Sequence, residues 1–426
     1  MEKTVSQPAI NPMLAVLAVR DFMLLWMGQT TSMLGDQFHS IAGAWLVLKL
    51  TGDPLALGTV MALGGLPRAF FTVIGGAITD QLSPRAVMLT TDIIRLLLSA
   101  ALAVQVFTNT LEVWMIYVYV LVGGIVGGFF GPASMSIVPR LLKDKELQAG
   151  NALSQGSAQF IGFVGPAIAG ALIAAFADAK TGVGVAIAFD AFTFIVSIIT
   201  LWRMGAGGEA LAPQAKFEAG EMLASIRDGF KYMVQDPGLR LMFIIIAIAN
   251  LSFGGPVAVG IPYLADTRFA EGAAAYGFII AGYAGGNLLG IILAGVLRKP
   301  SQKTWRWLIV ALFAMFGLGI SAVGWISLTW LAAADLCVLG ILNGYTSITL
   351  ITGLQRNTPK EMLGRLMSMI LLANFALMPL SQAITGATLR WNVYASFVGA
   401  GGLLLSVALY LTQPKAGKTL SIKLLD

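Results

Sequence analysis

Residues Gly75–Leu89 read GGAITDQLSPRAVML. The segment is a short polar break between two long apolar runs. Asp80 closes the first run and Arg85 opens the second. Gly75 and Gly76 let the end of the first run pack closely on a neighbour. A carboxylate and a guanidinium at facing helix ends can lock one conformation and release it in another. The run on each side is longer than about 20 residues, enough for a helix to cross a hydrocarbon core.

Working outward, the same pattern fills the chain. Twelve candidate spans lie at roughly 22–48, 55–79, 86–107, 112–138, 152–177, 182–203, 239–264, 273–297, 305–325, 328–354, 362–388 and 391–412. Of 426 residues, 57% are hydrophobic and only 11% charged, too little charge to cover a soluble protein of this size. The bilayer is the expected solvent, and the fold class is all-α integral membrane. The 49 glycines fit closely packed spans. The N-terminal MEKTVSQPAINPML is polar and has no cleavage-site pattern, so the first span is expected to be retained.

The long polar connection from Met204 to Gly238 divides the chain into 1–203, 204–238 and 239–426, a six-helix bundle on each side of a linker. Within the linker, FEAGEMLASIRDGFKYMVQ (Phe217–Gln235) places Leu223, Ile226, Phe230 and Met233 at helical spacing, the pattern of an amphipathic helix on the inner leaflet. Of the 27 Lys and Arg residues, Arg68 and Arg95 fall inside spans. Only Lys49, Lys180, Arg268 and Arg390 fall on the side opposite to the others. Both termini and the linker are therefore expected in the cytoplasm, with the chain in the inner membrane of a bacterial cell. The formal charge of +6 is a topology signal rather than a nucleic-acid-binding surface. A faint repeat, RLLKDKELQAGNALS after span four and RNTPKEMLGRLMS after span ten, occupies the same place in each half. Repeated halves with a site between them are a common build for secondary transporters.

The Gly75–Leu89 stretch resembles the loop signature of the major facilitator superfamily, roughly G-x-x-x-D-R-x-G-R-[RK]. Gln81 stands where Arg is usual, and Ser83-Pro84 where Gly-Arg is usual. The resemblance implies a gating role for Gly76, Asp80 and Arg85. Asp92 and Arg95, one turn apart, either extend that network or form a local ion pair. GFVGPAIAG, Gly162–Gly170, resembles the antiporter motif of the same superfamily through Gly162, Gly165, Pro166 and Gly170; the alternative is ordinary tight helix packing. With SMLGD, GGFFGPASMSIVPRLL, FDAFTFIVS and LQRNTPKEMLGRLMS, the chain resembles the twelve-helix drug/proton antiporter branch that contains macrolide efflux proteins and the enterobactin exporter. This implies the major facilitator fold, and export by proton antiport, as in multidrug resistance.

Enzymatic signals are weak. AGKT, Ala416–Thr419, lacks the first glycine of a phosphate-binding loop and follows no strand. One histidine and one cysteine give no metal cluster and no intrachain disulfide. No enzyme activity, cofactor or metal is expected.

Chemistry is instead expected from charges inside spans. Asp36 lies roughly 20 Å into the first span, where an aspartate costs on the order of 3 kcal/mol and must face a cavity or a partner. His39, the chain's single histidine, is one turn away and can share its face. Burial disfavours a charged carboxylate and a nearby cation favours it, so a carboxylate whose exposure alternates can carry a proton across. Arg68 is a natural partner for Asp36 or Asp190. Asp190 either joins the coupling set with Asp36, His39 and Arg68, or bonds to hydroxyls or a helix end. Asp335 raises the same question near the outer end of span ten. Gln29, Ser32, Phe129, Phe130, Asn250, Phe253, Asn343 and Tyr345 mark a candidate substrate cavity, with Asn287, Asn374 and Gln382 beside them. In span seven, NLSFGGPVAVGIP is expected to bend its helix and turn carbonyls toward the cavity.

The expected protein is a monomeric exporter of amphipathic small molecules, drugs or siderophore-like compounds, with protons and membrane lipid as its other partners. Two alternatives stay open, a lipid or lysolipid flippase and a non-transporting receptor or scaffold.

Overall fold

The computed structural model describes residues 15–205, 234–235, 237–297, 302–357 and 377–413. Within them the helices run α1 Arg20–Thr51, α2 Pro54–Gln81, α3 Pro84–Thr108, α4 Val113–Leu141, α5 Asp144–Ala174 and α6 Ala179–Arg203. Next comes α7, which starts at Pro237–Gly255, passes through a π-helical turn at Pro256–Gly260 and ends at Ile261–Thr267. Then follow α8 Ala273–Val296, α9 Gln302–Val323, α10 Thr329–Asn357, α11 at 377–391 and α12 Val393–Thr412. There is no strand among the described residues, and nine of the described helices are long and apolar enough to cross a membrane. The linker helix, the second copy of the repeat beyond Asn357, and Asn374 lie outside the described residues.

Local chemistry sets the helix ends. The departure from the loop signature at Ser83-Pro84 is a helix start. Ser83 accepts the Ala86 amide, and Pro84 takes the first helical position, where no N–H is needed. Asp178 caps α6, accepting the Thr181 hydroxyl at 2.9 Å and the amides of Lys180 and Thr181 at 3.2 and 3.1 Å. The Thr181 hydroxyl, then those amides, hold the Asp178 carboxyl below its ordinary range. A carboxyl lowered by folding stabilises above its unfolded pKa, and that contribution is lost as pH falls through the folded-state value. Asp178→Ala is therefore expected to lower the melting temperature at neutral pH, with the deficit shrinking under acid. A deficit independent of pH would assign the effect to packing alone.

The predicted bend in span seven is present, but its backbone is not open to a cavity. Gly255, Pro256 and Gly260 are buried. Ser381 of α11 accepts the Gly255 amide at 2.7 Å and donates to the Leu251 carbonyl at 2.6 Å, so a neighbouring hydroxyl satisfies the bend.

Within the first six helices α1 packs on α6 and α5, α2 on α4, and α3 on α6. Among the last six, α8 packs on α10 and α9 on α12. The two sets meet through α5 with α8, and through α2 with α11. A Cβ on Gly170 of α5 would lie 3.0 Å from the Gly277 Cα of α8, and one on Gly58 of α2 would lie 3.1 Å from the Gly386 Cα of α11. These contacts lie toward the end of the bundle away from the N-terminus of α1. At that end Lys49 of α1 meets Asp266 of α7 at 2.5 Å, with its ammonium 5.0 Å from the Trp45 ring centre. One apolar core joins both sets there, including Trp45, Leu57, Ile173, Leu264, Ala273 and Leu389. A second core, including Phe22, Met88, Ile137 and Leu201, belongs to the first six helices alone.

A buried charge cluster as candidate functional site

Three helices bring the charged residues together. α1 carries Gly28, Ser32 and Gly35 on its face toward α6. A Cβ on Gly35 would lie 2.8 Å from Asp190 Oδ1, so only glycine allows this approach. On the adjoining face Asp36 reaches α3, where Arg95 Nη2 donates to Asp36 Oδ1 at 2.8 Å. One turn along, His39 Nδ1 lies 3.0 Å from Asp190 Oδ2, and Ser99 of α3 donates to the same oxygen at 2.8 Å. Nearer the N-terminal end of α3, Ser197 of α6 donates to Asp92 Oδ2 at 2.6 Å. The Arg95 guanidinium lies over two rings, 4.8 Å from the Phe194 centre and 5.5 Å from that of Phe130.

Exposure separates the Asp36–Arg95 ion pair from the His39–Asp190 contact. The Asp36 side chain is 41% exposed and that of its partner Arg95 13%, while Asp190 is 2% exposed. Asp36 and His39, which is 42% exposed, are therefore partly accessible, and Asp190 lies buried against His39. The cluster holds three carboxyls, one guanidinium and one imidazole, so it can take up or release a proton with small rearrangements of its partners.

Two expected pairings differ from the geometry. The partner of Asp36 is Arg95, not Arg68. Asp92 bonds to Ser197 rather than to Arg95, one turn away on its own helix, because each side chain turns to a different neighbouring helix. Asp190 accepts a hydroxyl, from Ser99, in addition to facing His39. Sequence reasoning missed Ser99, Thr193 and Ser197. Their signal was spacing: Asp92, Arg95 and Ser99, and Asp190, Thr193 and Ser197, each follow i, i+3, i+7 on one helix face.

The remaining candidates scatter. Asp80 lies in α2 and its side chain is outside the described residues. Arg85 donates to the carbonyls of Leu201 and Trp202 at the end of α6, both at 2.7 Å. Among the described residues nothing packs where a Cβ on Gly76 or Gly162 would stand, whereas one on Gly165 would lie 2.7 Å from Gln37 Cγ of α1. Pro166 is buried beside it. Ser32 is buried, so it does not line a cavity. Gln29 is half-buried, and its amide nitrogen has no hydrogen-bond partner among the described residues. Phe129 packs on Phe71, with ring centres 5.6 Å apart. In the second set, Phe253 stacks on Tyr283 and Phe316 at 5.0 and 5.7 Å, and Asn343 is hydrogen-bonded to Tyr283. Asn250 donates to its own helix at Ile246, and Tyr345 is half-buried on α10.

A family model described as transmembrane secretion effector matches residues 11–421. The chain belongs to this family of the major facilitator superfamily. Transmembrane secretion effectors are multi-pass membrane transporters, and this member is accordingly a transporter and not an enzyme. It is similar to the multidrug efflux pump Tap of Mycolicibacterium fortuitum, 24% identical over 371 residues, 85% of this chain and 88% of that protein. It is also similar to the enterobactin exporter EntS of Shigella boydii serotype 18, 25% identical over 389 residues, 88% and 84% of the two chains. Among solved structures, that of a mutant of the nucleoside transporter NupG superposes with a TM-score of 0.72 at 12% identity, covering 94% of this chain and 99% of that one. That likeness shows the shared fold.

Proposed function

We infer that this transmembrane secretion effector is a secondary active exporter of amphipathic small molecules, driven by protons moving the opposite way. The observation that carries the reading is the Asp36–Arg95 pair. It is an ion pair midway along α1 whose carboxylate is partly exposed, in a chain similar to a multidrug efflux pump and an enterobactin exporter. Asp36 is the coupling carboxylate, and His39 with Asp190 is an accessory pair. Residues 1–203 and 239–426 act as two bodies joined by the 204–238 linker. The monomer is the transporting unit, in the inner membrane with both termini cytoplasmic. In that orientation the Lys49–Asp266 contact and the α5–α8 and α2–α11 approaches close the external side.

Proton-driven uptake of a drug-like substrate into inverted membrane vesicles, abolished by a protonophore, tests the function. Lipid scrambling without proton dependence would replace this reading with a flippase. Binding without flux would replace it with a receptor. For orientation, reporter fusions after Thr110 and Lys180 are expected to report the external side, and fusions within Met204–Gly238 the cytoplasm. A consistent reversal overturns the topology. Gly76, Asp80 and Arg85 serve gating rather than binding. Asp80→Asn is expected to slow flux while equilibrium substrate affinity stays within about threefold, or roughly 0.7 kcal/mol. Abolished binding in folded protein would refute the gating role.

A further inference from the structure

Arg68 has 14 residues of α2 before it and 13 after it, which places it about 20 Å from either end. A guanidinium at that depth needs a partner or water. Its side chain is exposed, and it lies flat on α4 where Gly127 leaves room; a Cβ there would stand 2.9 Å from both Nε and Nη2. Among the described residues nothing accepts a hydrogen bond or forms an ion pair with this guanidinium. Asp36, the carboxyl that acts on it, is engaged with Arg95. Arg68 lies within electrostatic range of Asp36 of α1 and Arg95 of α3, on the side of α2 toward those helices. One turn along α2, Phe71 packs on Phe129 of α4. On an adjoining face of α2, Gly65 comes against Pro379 of α11, so this stretch of α2 lies where the two sets of helices meet.

An exposed guanidinium without a partner among the described residues, beside an aromatic shelf, is matched to one kind of guest. Its planar fork binds a carboxylate or phosphate through two parallel hydrogen bonds, and the rings accept an apolar body. We propose that Arg68 anchors the acidic group of the transported molecule, so that the cargo is a free amphipathic anion with its apolar part along Phe71 and Phe129. The proposal deepens the exporter reading and rests on it.

The test uses the full chain in phosphatidylcholine nanodiscs, with 1-pyrenebutyrate as the anionic probe and a pyrenylbutyl-trimethylammonium of similar size as the cationic one. Wild type is expected to bind the carboxylate more tightly. Arg68→Gln is expected to weaken carboxylate binding at least about tenfold, or about 1.4 kcal/mol, and to leave the cation within about threefold. Arg68→Lys is expected to fall between, with the anion still preferred. Wild-type preference for the cation, equal binding of both probes, no binding of the carboxylate, or undiminished carboxylate binding by folded Arg68→Gln overturns the proposal. If Arg68→Gln does not fold, loss of the anion preference in Arg68→Lys overturns it. Phosphatidylglycerol added to the nanodiscs separates the two sources of the anion. Competition with the probe that depends on Arg68 would assign the subsite to a lipid headgroup and overturn the free-cargo assignment. Proton-driven flux is measured separately. Absent flux with intact Arg68-dependent binding sinks the antiport reading and leaves this proposal standing.

Discussion

Asp36→Asn protein is expected to bind its substrate and to lose proton-driven accumulation. One coupled proton and a pH difference of about one unit support roughly tenfold accumulation, because about 1.4 kcal/mol is a factor of ten. The amide cannot ionise, so the accumulation ratio should fall to about one while downhill flux persists. The Asn side-chain carbonyl can still accept from Arg95, which keeps the fold and makes the comparison fair. His39→Gln retains a hydrogen-bond donor toward Asp190, 3.0 Å away in the wild type. That variant is expected to keep most transport with a displaced pH optimum. Counterflow at symmetric pH and accumulation under a pH gradient, measured on the same vesicles, separate the two outcomes. Full accumulation by folded Asp36→Asn would remove Asp36 from the coupling role. It would then turn attention to Asp190, the other carboxyl that His39 faces.

Gly170→Leu is expected to be the most damaging change away from the charges. Gly170 and Gly277 bring the backbones of α5 and α8 so close that even a Cβ would stand 3.0 Å from the facing Cα. Overpacking of this kind costs about 1–3 kcal/mol, which shifts a two-state equilibrium by roughly 5- to 150-fold. The substitution penalises the arrangement seen here, with both sets of helices closed at this end. Transport should fall at least tenfold, and the closed end should open. Spin labels at Asp53→Cys and Arg390→Cys, in a Cys337→Ser background, report the distance between α2 and α11 at that end. A longer distance with lost flux is the expected result. An unchanged distance together with wild-type flux would show that α5 and α8 need not return to this contact during transport. The antiporter-motif resemblance at Gly162–Gly170 would then carry packing only.

The site was partly legible in the sequence. An aspartate and a histidine one turn apart in an apolar span announce themselves, because the bilayer makes every unneeded charge costly. Their partners do not. Arg68 read as the natural mate of Asp36 or Asp190, and Arg95 was read with Asp92, since nothing in a linear chain states which helix lies beside which. Ser99 and Ser197 were visible as members of a repeating face but gave no reason to prefer them over other hydroxyls. Lys49 read as a topology exception. Its contact with Asp266 joins residues more than two hundred positions apart, and only the docking of α1 against α7 creates it.

By itself the sequence determined the solvent, the class of fold, the helical segments and their expected orientation, because hydropathy and helix length are local properties set by the thickness of the bilayer. The Ser83-Pro84 helix start and the bend near Pro256 follow equally from local backbone chemistry. What the tertiary structure alone decided is the pairing. It assigned Arg95 to Asp36, left Arg68 without a protein partner among the described residues, sealed the α7 bend with Ser381, and joined the two sets of helices at one end. Each of these depends on which helix faces meet. In a membrane that choice rests on close backbone approach and on satisfying every polar group, summed over many contacts no short stretch contains.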